Sequence, residues 1–185
     1  QADAQTTVHF TGRVRLTQSK PRLKGAKPPS PTERAADAAA VYRIYFHGPA
    51  YQVIDSVWGN SGGATGRMPA QLGPNHVPDG QRLTTSPRLT ELAFQTAGIW
   101  EIGTTGAMAL PMHIDRVVYA GDPAEAKGRL HGIVAAADGP TFDAQIVDED
   151  GTCFVALSGY RTVRLPAPVD PESATPLQRA ITEED

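Results

Sequence analysis

A chain of 185 residues and 19.7 kDa suits one domain with room for a sizeable core. With 40% hydrophobic and 20% charged residues and a net charge of −3, it has the balance of a globular protein and no electrostatic reason to bind nucleic acid. The single cysteine, Cys153, excludes an internal disulfide and points weakly to a reducing, cytoplasmic setting, and no apolar run approaches the roughly 20 residues of a membrane span.

The opening "QADAQTTVHF" is polar and lacks a signal-peptide pattern, and a start at Gln1 reads as a piece cut from something longer. In "TTVHFTGRVRL" (6–16), Val8, Phe10 and Val14 alternate with polar neighbours, which predicts a strand. The stretch 17–40, rich in Pro and Lys and then in Ala, reads as a linker with a short helix near 31–39. Arg13, Arg15, Lys20, Arg22, Lys24, Lys27 and Arg34 make the first 35 residues basic. That charge is either a solvated linker or a docking surface for an acidic partner.

Residues 41–166 read as the compact unit. A first strand region is predicted over 41–58, followed by a turn-rich segment over 59–86 whose Gly and Pro clusters exclude a long helix. Ser86 as N-cap and Pro87 at the first helical position then open a helix. Leu89, Leu92, Ala93, Ala97 and Trp100 recur at helical spacing, and the helix should end near Gly103. "LPMHIDRVVYAG" and "GRLHGIVAAAD" each predict a strand, and "TFDAQIVDEDGTCFVALSGYRTVRL" a hairpin turning at Asp150-Gly151. The proline-bearing tail, 167–185, reads as a linker to a following domain. One largely apolar helix among antiparallel strands is an α+β pattern, and a sheet wrapped around that helix would account for its apolar surface.

Glu91, Gln95 and Gly98 fall on one helix face at i, i+4 and i+7. A lone carboxylate amid apolar neighbours loses hydration, which favours its protonated form and makes Glu91 a candidate proton donor. Gln95 would orient it, and Gly98 would leave room for a ligand. The alternative is that this face points to water. His47 is a base, a ligand-lining residue or a structural histidine, and Gly48-Pro49 beside it fixes the backbone and allows close approach. No metal-like histidine spacing, G-x-S-x-G or phosphate loop is present.

"HGPAYQVIDSVW", then "SPRLTELAFQTAG", then "LPMHIDRV" resembles, in order and spacing, the dehydratase domain of type I polyketide synthases and polyunsaturated-fatty-acid-type synthases. The resemblance implies a double hot dog, two helix-in-sheet halves side by side. Residues 41–166 would be the second, C-terminal hot dog, 1–16 the terminal strand of the preceding one and 17–40 the connection between halves. The family's catalytic aspartate falls on Glu91 and its Gln or His partner on Gln95. The family's tyrosine before Gly-Pro falls on His47, with Gly48, Pro49 and Tyr51 matching, so His47, Gly48, Pro49, Tyr51 and Gly98 would line the substrate tunnel. The family's H-x-x-x-G-x-x-x-x-P base motif is missing, and the extra methylene of glutamate moves the carboxyl by roughly 1.5 Å. The implied reaction removes water from a β-hydroxyacyl thioester. The substrate rides on the phosphopantetheine of an acyl carrier protein, and neither cofactor nor metal is needed. The implied partners are that carrier protein, the N-terminal hot-dog half and other synthase domains, or a second copy of the chain. The alternatives are a non-catalytic hot-dog scaffold or acyl-binding module, and a single-hot-dog thioesterase or hydratase working as a homodimer.

Overall fold

The computed structural model describes residues 7–19, 21–75, 83 and 85–182. Its centre is α2, Pro87–Thr105. Pro87 starts this helix where no backbone N–H is needed, and Gly106, at φ 69°, ends it in a left-handed cap whose N–H reaches the Ile102 carbonyl. Leu89, Leu92, Ala93, Ala97, Ile99 and Ile102 are all buried, so the helix is covered on most sides.

The cover is one antiparallel sheet. Its strands are β1 (Ala36–Asp37), β2 (Ser56–Asn60), β3 (Gly63–Arg67), β4 (Ala107–His113), β5 (Arg116–Tyr119), β6 (His131–Ala136), β7 (Thr141–Val147) and β8 (Cys153–Pro168). They run in the order β1-β2-β3-β6-β7-β8-β4, with β5 also on β8. Register shifts in the β4–β8 and β7–β8 pairs mark where the sheet curls around α2. The helix lies close to β3 and β6 because two glycines face it: a Cβ at Gly66 would strike the Thr96 side chain, and one at Gly132 would sit 3.1 Å from Leu92 Cγ. This is the hot-dog arrangement, with the α+β class, the helix start and the Asp150-Gly151 hairpin as expected.

Several local expectations are corrected. Residues 7–16 form no strand among the described residues, and Phe10 is 91% exposed. Their alternation meets no neighbouring strand to take up its hydrogen bonds. The region 41–58 is mostly not strand. A short helix α1 (Ala38–Tyr42), capped by Asp37, leads to a 3-10 turn at Pro49–Tyr51, and β2 begins only at Ser56. Pro49 lacks the N–H a ladder needs, and the Ile54 N–H goes instead to the Tyr42 hydroxyl at 2.8 Å. "LPMHIDRVVYAG" is two strands, both paired with β8, because the chain breaks at Ile114–Asp115 opposite Gly159.

The expected linkers are also partly structured. Lys24 bridges to Thr152, and the Ala26 N–H donates to Gln145 Oε1 at 3.1 Å. The tail is a helix, α3 (Pro171–Ile181), whose Ala174, Leu177, Ala180 and Ile181 are buried. Its Ile181 fills the space that a side chain at Gly103 of α2 would need. The packed unit therefore spans 36–181 and not 41–166. No described helix is long and apolar enough to cross a membrane.

Candidate active site

Glu91 and Gln95 stand one helical turn apart on α2, as their spacing requires. Gln95 is only 2% exposed and every polar atom of its amide is engaged. The Tyr42 hydroxyl donates to Gln95 Oε1 at 2.9 Å, and Gln95 Nε2 donates to the Tyr51 carbonyl and to Glu91 Oε1, each at 2.9 Å. The direction of this run follows from its first member. The Ile54 N–H can only donate, so the Tyr42 oxygen accepts from it and sends its own hydrogen to Gln95 Oε1. The amide nitrogen must then face Glu91. Bonds aligned head to tail in this way polarise one another. Burial, reinforced by the Glu91 carboxylate, holds the Tyr42 phenol above its ordinary range, so it stays a proton donor.

Glu91 is thus not the solitary carboxylate that the apolar helix suggested. His47 Nε2 lies 3.0 Å from the same Oε1 that Gln95 reaches. Oε2 has no hydrogen-bond partner among the described residues. His47 sits between the Tyr45 ring, edge-on at 5.4 Å, and the Phe46 ring, stacked at 5.4 Å, while its Nδ1 is buried without a partner among the described residues. The Gln52 side chain donates to the His47 carbonyl at 3.1 Å, and the Tyr51 N–H closes the turn onto the Gly48 carbonyl at 2.9 Å. The Gly48-Pro49 turn therefore fixes where His47 and the Tyr51 carbonyl stand relative to α2.

The other predicted positions divide. A Cβ on Gly48 would meet open space. Pro49 opens the 3-10 turn, and Tyr51 contributes its backbone oxygen to Gln95. Gly98 does not leave room for a ligand, because the Tyr45 hydroxyl occupies the space where a Cβ would stand. Tyr42 and Tyr45 had no sequence signal beyond their i, i+3 spacing in "YRIYFHG". A cavity of about 900 Å³ opens at the first turn of α2, lined by Met68, Leu72, Arg88, Leu89, Tyr119 and Leu130 and by none of the residues gathered around Glu91. Arg88 stands three residues before Glu91, on the same helix face. Tyr119 Oη, on the cavity wall, is 3.0 Å from the Thr90 hydroxyl.

The family model described as "Polyketide synthase dehydratase N-terminal domain" matches residues 17–172, most of the chain. The chain belongs to the polyketide synthase dehydratase family. Solved dehydratase domains share its fold. A trans-AT polyketide synthase dehydratase from Brevibacillus brevis superposes with a TM-score of 0.59 at 17% identity, over 78% of this chain and 55% of that one. The CurK dehydratase of the Curacin polyketide synthase gives 0.57 at 18% identity, over 82% and 55%. The PpsC dehydratase of Mycobacterium tuberculosis, solved with C12:1-CoA, gives 0.53 at 22% identity, over 76% and 56%. Two further CurK structures, a His-to-Phe and an Asp-to-Asn replacement, are described as inactive mutants. This dehydratase-family chain spans about half the length of the solved domains it matches. No curated protein is similar enough to count as a match. The matching description gives the N-terminal domain, whereas the motif order in the sequence only resembles that of the second half.

Proposed function

We propose that the chain is the carboxylate-bearing, C-terminal half of a synthase dehydratase that converts a β-hydroxyacyl thioester, carried on an acyl carrier protein, to the α,β-enoyl thioester. The observation that carries this reading is Glu91 on the central helix. Its Oε1 is held by Gln95 and His47, and none of the described residues bonds its Oε2. In the reaction, Glu91 gives its proton to the departing β-hydroxyl. The C–O electron pair leaves with water, and an imidazole base takes the α-proton as the double bond forms. That base would come from the preceding half. The loss of activity named for CurK on replacing one histidine or one aspartate supports a reaction that needs both kinds of group.

The acyl chain would occupy the apolar cavity at the start of α2, in keeping with the acyl-CoA held by the PpsC domain. The basic segment before residue 35 offers a carrier protein, typically acidic, a complementary surface. The reaction itself asks for no cofactor beyond the substrate's phosphopantetheine. The test is turnover of a β-hydroxyacyl thioester by the longer protein, by its Glu91→Ala variant and by this chain alone. A loss of at least about a hundredfold in the variant is expected, with little turnover by the chain alone. An unimpaired Glu91→Ala variant removes Glu91 from the mechanism, and robust turnover by the isolated chain sinks the half-domain reading.

A further inference from the structure

The imidazole in contact with Glu91 has a role that the dehydratase reading leaves open. Two geometric facts restrict it. The only ring nitrogen of His47 that reaches the site, Nε2, is committed to Glu91 Oε1 at 3.0 Å. The other, Nδ1, is buried and meets no partner among the described residues. A base must present a free nitrogen to the atom it deprotonates. His47 presents none.

The second feature is that His47 and Gln95 converge on one oxygen. Gln95 Nε2 and His47 Nε2 both lie within 3.0 Å of Oε1, and none of the described residues bonds Oε2. A carboxyl whose one oxygen accepts two N–H bonds carries its proton on the other, because a proton on Oε1 would face two donors. Tyr42 from α1, Tyr45 from the following loop and Tyr160 from β8 all feel the Glu91 charge. Burial first, with smaller contributions from Glu91 and, for Tyr45 and Tyr160, from Glu101, keeps these phenols protonated and therefore neutral. Phe46 stacks on the imidazole from outside.

We propose that His47 is a positioning residue that, with Gln95, occupies the Oε1 edge of Glu91 and so makes Oε2 the proton-carrying atom. The inference rests on the dehydratase reading for its catalytic consequence but not for its geometry. When Oε2–H passes its proton to the leaving hydroxyl, the C–O pair departs with water. The N–H groups of His47 and Gln95 then already face the carboxylate that remains.

Two experiments separate this role from its rivals. In the chain itself, long-range proton–nitrogen correlation spectra, taken on the alkaline side of the ordinary imidazole range, are expected to show His47 as a single Nε2–H tautomer. That preference should be lost in Glu91→Ala. A tautomer mixture in the parent chain, or no change in the variant, overturns the proposal. In the longer protein, His47→Phe keeps the ring but removes the donor and should lower kcat by about tenfold to a hundredfold at nearly constant KM. His47→Gln restores an N–H and should recover most of that loss. Equal inactivity of the Phe and Gln variants would make His47 the base, and a change confined to KM would make it only a wall. Both outcomes overturn the proposal. If the parent protein does not dehydrate at all while the tautomer result holds, the dehydratase reading fails and the Glu91–His47 geometry stands.

Discussion

At the residue scale, the site depends on contacts that only the folded loop creates. The i, i+4 spacing made Glu91 and Gln95 legible as a pair in the sequence. Tyr42 was not legible, because its role requires the chain between it and α2 to fold back and bring it within 2.9 Å of a residue 53 positions away. Gly98 was misread for a related reason: its open side is taken by Tyr45, from the same distant loop. This yields a paired prediction. Gly98→Ala should destabilise the fold by about 1–3 kcal/mol in urea unfolding, since the new methyl meets the Tyr45 hydroxyl. Adding Tyr45→Phe should recover much of that loss, because the nearest ring carbon, Cζ, is 3.5 Å from the new methyl. Additive effects of the two changes would refute this contact. Gln95→Leu should cost about 2–4 kcal/mol, leaving the Tyr42 hydroxyl hydrogen without its acceptor and the Tyr51 carbonyl without its donor beside an apolar side chain. The corresponding Tyr42→Phe cost should shrink in that background, as measured by a double-mutant cycle.

At the element scale, the strongly periodic helix and the hairpin with an Asp-Gly turn were readable, because each is specified by residues close in sequence. The tail was not. Its prolines suggested a linker, yet Pro171 falls at the first helical position, and the Asp170 carboxylate caps the helix by accepting from the Ser173 N–H at 3.0 Å. Leu177 is fully buried, so Leu177→Ala should lower stability by about 2–5 kcal/mol, where a linker would show no change. The β7–β8 turn carries a pH-dependent contribution. Burial alone would raise the Asp148 carboxyl, but N–H groups of Lys127, Thr152 and Asp150 converge on it and hold it below the ordinary range. A carboxyl lowered in the folded state stabilises above its unfolded pKa, and that contribution is lost as the pH falls through its folded value. Asp148→Asn should therefore melt at a lower temperature than the parent at neutral pH, and the two melting curves should converge in acid. Parallel curves across that range would show that the carboxylate is not the source.

At the scale of the whole molecule, the α+β class followed from one apolar helix among strands, and the hot-dog arrangement from the family resemblance. The curl of the sheet did not, because bulges and glycine-mediated approach to α2 are properties of pairs of strands. The fold leaves an apolar face at its β4 edge. Leu110, Met112 and Val163 are exposed there, with Leu110 paired opposite Val163. In sedimentation at rising concentration the isolated chain is expected to self-associate through this edge, and Met112→Lys should weaken that association. A monomer at all concentrations would assign the face to something other than a second copy.

The length of β8 has a consequence for how such a chain is made. This strand runs from Cys153 to Pro168 and is the shared partner of β4, β5 and β7. Those three strands all precede it in the chain. Until it leaves the ribosome they have no ladder to join on that side, and one flank of α2 stays bare. This unit therefore closes in a single late step, with α3 arriving directly afterwards to lie against α2. A nascent chain arrested before residue 153 should be digested readily by protease, while one released past 181 should resist.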